Sequence, residues 1–122
     1  MAQKAACFST QVRLREPAEF KRVFAKAERS SDKYFTVLAI VNELDHPRLG
    51  LAIAKKNIRR AVDRNKIKRA ARESFRLQQH DMSHIDLVVM ARREAAIANS
   101  KTLQASLDKH WLKLTKRCAP FS

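Results

Sequence analysis

A chain of 122 residues with 26 Lys and Arg against 12 Asp and Glu carries a formal net charge of +14, which makes a polyanion the expected partner. Hydrophobic residues make up 45% of the chain, too many for a disordered basic tail, and the length suits one compact domain over residues 1–122. The longest apolar stretch free of charge, residues 34–42, is about half of a bilayer-spanning helix, so no membrane partner is expected.

Near the start, Lys4 is followed only by Ala5, Ala6, Cys7 and Phe8, too short an apolar run for a signal peptide. The cytoplasm is the expected location, and Cys7 and Cys118 are expected to be free thiols. Phe20, Val23, Phe24 and Ala27 recur at i, i+3, i+4 and i+7 after Pro17, which predicts a first helix over residues 16–27. Residues 34–41, Tyr-Phe-Thr-Val-Leu-Ala-Ile-Val, read as a strand bounded by Ser30-Ser31-Asp32 and by residues 42–47. Residues 49–54 read as a second strand, expected to pair with the first as a hairpin around Asp45-His46-Pro47.

Ile67, Ala70, Ala71, Ser74, Phe75 and Gln78 form one stripe of a helix predicted over residues 61–79. The short apolar run 85–90, Ile-Asp-Leu-Val-Val-Met, fits a buried strand. Finally, Asn99 or Ser100 can cap a helix that carries Leu103, Leu107, Trp111 and Leu114 on one side, with Lys116 and Arg117 toward its negative end. The sum is an α+β architecture: a two-layer sandwich of a small mixed sheet and helices, in the order α-β-β(-β)-α-β-α.

The charge is concentrated. Residues 55–76 hold ten basic and two acidic residues, +8 of the +14. Arg60, Arg64, Lys68, Arg72 and Arg76 recur every four residues, a spacing at which like charges repel unless an anion neutralises them. A solvated face is the alternative for any charge run, but the acidic partners such a face would use at i+4 are nearly absent here. A nucleic-acid backbone is the anion of choice for Lys and Arg, through counterion release and the bidentate reach of arginine. No zinc-ligand spacing, zipper heptad or RNA-recognition aromatic signature is present.

Three segments carry a family resemblance: Gly50-Leu51-Ala52-Ile53-Ala54-Lys55-Lys56, Ala61-Val62-Asp63-Arg64-Asn65-Lys66-Ile67-Lys68-Arg69, and Arg72-Glu73-Ser74-Phe75-Arg76. Together they resemble the signature of the bacterial ribonuclease P protein subunit. The resemblance extends to the Glu19-Phe20 and Val23-Phe24 helix, the Asp86-Leu87-Val88-Val89 strand with its following basic residues, and the last helix. It implies a protein that assembles with a catalytic RNA, which removes the 5′ leader of precursor tRNA using bound Mg2+ and needs no further protein partner. The protein would then assist the endonuclease without supplying a catalytic residue or a metal site. The basic helix would lie in a left-handed βαβ crossover and face the catalytic RNA. Lys55, Lys56, Arg60, Arg64, Asn65, Lys66, Lys68, Arg69 and Arg72 would contact that RNA, while Phe20, Phe24 and Phe35 would line or floor a cleft for the single-stranded leader.

Two positions depart from the family pattern. Lys66 stands where the motif has its second arginine, keeping charge but losing the planar fork. Asn57-Ile58-Arg59-Arg60 stands where many members carry a glycine. Read from the residues alone, Phe20 and Phe24 are a packing pair unless a ring face is exposed, and Phe35 opens an apolar strand as a core residue would. His80 and His84 read as a surface pair, since no acid or cysteine at zinc spacing accompanies them. Asn65, mildly unfavourable inside a helix, suits a hydrogen bond to RNA. A general or ribosome-associated RNA-binding protein without a nuclease role is the alternative function. An independent protein nuclease would need paired carboxylates or a histidine beside a phosphate site.

Overall fold

The computed structural model describes residues 17–42, 44, 46–82 and 84–118. The chain runs through α1 (Pro17–Lys26), β1 (Glu28–Ser31), β2 (Phe35–Val41), β3 (Arg48–Ala52), α2 (Ala61–Gln78), β4 (Ile85–Ala91) and α3 (Ser100–Cys118), with single 3-10 turns at Gln79–Asp81 and Arg93–Ala96. Asn99 caps α3, its Oδ1 accepting from the Thr102 amide at 2.8 Å. Cys118 is a buried free thiol, and burial pushes its pKa up; Cys7 lies outside the described residues.

The strands form one sheet in the order β1-β2-β4-β3. β1 and β4 both run antiparallel to β2, and β3 runs parallel to β4. The hairpin expected between β2 and β3 is therefore not formed. β4 separates them, pairing Val37 with Val89 on one side and Leu51 with Val89 on the other. The physical reason lies in β4 itself: six of its seven residues are buried, so it needs neighbours on both edges and cover on both faces. The parallel β3–β4 pair in turn requires a crossover, which α2 supplies. Asn42 holds the turn out of β2, its Oδ1 accepting from the Leu44 amide at 2.9 Å and its Nδ2 donating to the His46 carbonyl at 3.2 Å.

β1 occupies Glu28–Ser31, a segment in which the sequence offers Ser30-Ser31 only as the boundary of the next strand. This edge strand has no apolar alternation to reveal it. Ser30 instead turns inward and its hydroxyl meets Nδ1 of His110 at 2.7 Å.

α2 and α3 cover one face of the sheet. Phe35, Val37, Ala39, Leu49, Leu87 and Val89 meet Ile67, Phe75, Leu103, Leu107 and Leu114 there. Each large side chain fully buried in this layer contributes about 1.5–3 kcal/mol. Trp111 closes it edge-on to Phe75, ring centroids 6.2 Å apart, and donates from Nε1 to Ser74 Oγ at 2.7 Å. α1 crosses the opposite face, where Val23 seats on Leu38 and Val88. Phe20, Ala27, Ile40, Ala52 and Met90 gather round that second, smaller cluster.

Candidate nucleic-acid interface

The basic segment enters α2 through a tight turn. Asn57 and Ile58 amides both donate to the Ala54 carbonyl, at 3.2 and 3.0 Å, and the Ile58 side chain is fully buried. Burial of this side chain anchors the turn. Arg64 reaches back along the helix, its Nη1 donating to the carbonyls of Ile58 at 3.0 Å and Arg59 at 2.9 Å. Asn57 ties the same turn to the end of β4, donating from Nδ2 to the Ala91 carbonyl at 3.4 Å. Lys55, Lys56, Arg59 and Arg60 stay exposed around it.

Along α2 the inward stripe is Ile67, Ala70, Ala71, Ser74 and Phe75. The outward crest is Asn65, Arg69 and Arg72, all exposed. This corrects the row read at every fourth residue. A step of four residues advances about 40° beyond a full turn, so such a row winds off the crest within two turns. Arg64 and Lys68 are half-buried, and Lys66 donates from Nζ to the carbonyls of Ala96 at 2.9 Å and Ala98 at 2.8 Å. Arg64 and Lys66 thus brace the chain's own backbone, Lys66 fixing the approach to α3. A single ammonium serves two converging carbonyls well, and no planar fork is needed there.

Asn65, Arg69, Arg72, Glu73 and Arg76 line a shallow pocket of about 380 Å³ on the crest. Arg76 grips Glu73 with two donors, Nη2 at 2.5 Å and Nε at 3.2 Å, and holds its carboxyl below the usual carboxylate range. The pocket therefore presents guanidinium edges and one amide, donors suited to phosphate oxygens.

On the other face of the sheet, Phe20 is half-buried and Phe24 is 50% exposed. Phe20 packs against the cluster of Val23, Leu38 and Val88 beside Met90 and Ala52, and Phe24, one turn further along α1, leaves half of its surface open. Phe35 does not belong to this cleft. Alternation along β2 turns it to the face covered by α2 and α3, where it is 0% exposed. The basic residues after the Asp86–Val89 strand, noted in the sequence but not assigned to the interface, include Arg92 and Arg93, exposed just beyond β4. Because β3 and β4 run parallel in register, Ala52 beside Met90, these arginines follow the same end of the sheet as Lys55 and Lys56. Only the parallel pairing could have revealed that neighbourhood.

At the opposite end of the same strand pair lies a buried ionic cluster. Asp86, fully buried, accepts from Arg48 Nε at 2.9 Å and Nη2 at 2.8 Å, from Asn42 Nδ2 at 2.8 Å and from Arg22. Arg48 also donates from Nη1 to Glu19 at 2.6 Å. The hydrogen bonds to Asp86, opposed by burial, raise the Arg48 pKa further above its already high value. Among the described residues, no three His, Cys, Asp or Glu side chains gather in a way that could hold a metal ion. His80 and His84 are both exposed.

A family model described as Ribonuclease P matches residues 8–115. The chain belongs to the ribonuclease P protein family. The ribonuclease P protein component of Methylococcus capsulatus is 57% identical over 112 residues, 92% of this chain and 88% of that protein. That of Photobacterium profundum is 46% identical over 109 residues, 89% of this chain and 92% of that protein. Among solved structures, the RNase P protein of Staphylococcus aureus superposes with a TM-score of 0.78 at 37% identity, covering 88% of this chain and 98% of that one. The RNase P protein of Thermotoga maritima gives 0.73 at 31% identity, with 88% and 97% covered.

Membership gives the two surfaces of the sheet a common context. A ribonuclease P protein is one part of a ribonucleoprotein endoribonuclease, with catalysis by its RNA. The two surfaces differ in chemistry: hydrogen-bond donors on the α2 crest and ring faces on α1.

Proposed function

We propose that this chain, as a ribonuclease P protein subunit, binds the catalytic RNA along α2 and the 5′ leader of precursor tRNA in the cleft beneath α1. The observation that carries the reading is the division of labour across the sheet: an exposed Asn65–Arg69–Arg72 crest on one helix layer and a half-exposed Phe24 on the opposite face. Lys55, Lys56 and Arg60, exposed at the entry to α2, extend the crest, and Lys68 flanks it. Arg64 and Lys66 support it from behind.

Phosphate contacts of this kind position an RNA without reading its sequence. A leader stacking on Phe24 and Phe20 gains about 1–3 kcal/mol per base whatever that base is. This suits a subunit serving many precursors. The Mg2+ belongs to the RNA, where it would stabilise the charge that develops at the scissile phosphate. The site of action is the cytoplasm, and no other protein is required. No helix of the described residues is long and apolar enough to cross a membrane.

The test is reconstitution of the protein with the host's catalytic RNA and a precursor tRNA at low Mg2+. Leader removal faster than with the RNA alone supports the reading. An unchanged rate, with RNA still bound, would favour a general RNA-binding role, and cleavage by the protein alone would point to a nuclease of its own.

A further inference from the structure

α1 is a short helix with a narrow seat. Among its described side chains only Val23 is fully buried, resting on Leu38 and Val88. Ten residues are too few to hold a helix by propensity alone, and a seat of one fully buried side chain with the half-buried Phe20 beside it resists rolling of the helix only weakly. Two ionic contacts oppose that roll. Glu19 in the first turn accepts from Arg48 on β3 at 2.6 Å, and Arg22, one turn later, donates to Asp86 on β4. Arg48 and Asp86 stand side by side in the sheet register and are locked to each other by two hydrogen bonds. Their side chains are 16% and 0% exposed, so the sheet offers α1 a rigid pair of opposite charges. α1 answers with a pair of opposite charges in matching order.

Glu19, Arg22 and Val23 project from one side of α1, while Phe20 and Phe24 lie about a third of a turn round the helix. Any roll that stretches the two ion pairs moves Phe20 relative to Met90 and Ala52 and carries the Phe24 ring with it. We propose that Glu19 and Arg22 are positioning residues for leader binding: seated on the Arg48–Asp86 pair, they fix the roll of α1, and with it the spacing between the Phe20–Phe24 wall and the sheet, without touching the leader. The inference rests on the cleft reading above and deepens it. It concerns α1 only, so the α2 surface and its RNA contacts are unaffected.

The test uses the reconstituted holoenzyme with Glu19→Gln, Arg22→Met and Arg22→Lys, against one precursor carrying a leader of several nucleotides and the same tRNA carrying a single-nucleotide leader. For Glu19→Gln and Arg22→Met, KM for the long-leader substrate is expected to rise about tenfold, equivalent to the stacking of one base. KM for the short-leader substrate, kcat at saturation and affinity for the catalytic RNA should not change. Arg22→Lys, which retains a donor to Asp86, should restore most of the long-leader KM. Equal losses on both substrates, or no loss on either, would overturn the inference. Failure of the cleft reading itself is separable: the wild-type holoenzyme would then bind both substrates alike, and both ideas would fall together.

Discussion

Phe24 and Phe35 differ only in environment, and that difference separates a binding ring from a core ring. Phe24→Ala removes a half-exposed face, so affinity for a long-leader precursor should fall by about 1–3 kcal/mol while the urea unfolding midpoint scarcely moves. Phe35→Ala empties a fully buried site and should cost about 3–5 kcal/mol of stability, readable in the same titration. A reversed pattern would put the cleft on the other face of the sheet. Lys66→Ala separates support from RNA contact: without the bridge to Ala96 and Ala98, stability should fall by about 1–3 kcal/mol, with a smaller effect on RNA affinity than Arg69→Ala produces.

His110 gives a pH signature at the same scale. It is 3% exposed, Nδ1 meets Ser30 Oγ, and Nε2 lies 3.2 Å from the Asp32 carboxylate. Burial holds its pKa below the usual 6.5, more than the Asp32 carboxylate raises it. The folded chain therefore takes up this proton at lower pH than the unfolded chain does. The contribution to stability is whole above about pH 6.5 and declines as pH falls toward the folded pKa. Asp32 acts in a lower window: its pKa is also depressed, by hydrogen bonds from Ser106 and the Phe35 and Tyr34 amides that outweigh desolvation, and its contribution is lost only as pH falls through the acidic range. Unfolding free energies of the wild type should thus fall as pH drops below about 6.5, and His110→Gln should flatten that part of the curve. Parallel curves would show that His110 is not the group responsible.

At the scale of elements, α2 shows what a spacing can and cannot say. The basic segment, the helix and its inward stripe were all legible, because apolar periodicity is a local property of the sequence. Which basic residues reach outward was not, since the answer depends on which backbone carbonyls the fold presents to them: Ile58 and Arg59 at the entry turn for Arg64, and Ala96 and Ala98, 30 residues on or more, for Lys66. Arg69→Ala with Arg72→Ala should reduce the slope of log affinity against log salt by about one unit for each phosphate the protein no longer neutralises, measured on the catalytic RNA. Arg64→Ala should act instead mainly on the entry to α2, lowering stability. If the salt slope followed Arg64 and ignored Arg69, the crest would be misplaced. β1 marks the opposite limit: a polar four-residue edge strand leaves no pattern, and it forms because β2 offers a free edge and His110 a buried partner for Ser30.

For the whole molecule, a net charge of +14 means self-repulsion in the free protein. Added salt should raise its stability by screening, whereas the complex with RNA should weaken. RNA present at about a hundred times its Kd should stabilise the fold by about 2.7 kcal/mol. Thermal melts of the free protein and of the complex across a salt series check both signs, and a complex that grows more stable with salt would rule out phosphate contacts as its main adhesive.

The sequence alone determined the α+β class, the extents of the helices and of the apolar strands, the concentration of +8 between residues 55 and 76, and the family resemblance, since each is carried by residue types at short spacing. Only the tertiary structure decided that β4 separates β2 from β3, that Phe35 faces the α2–α3 core, that Arg64 and Lys66 turn inward, and that Glu19 and Arg22 meet Arg48 and Asp86. Strand partnership, face and helix roll are set by which distant surfaces bury one another, and a local pattern is the same for every partner it could take.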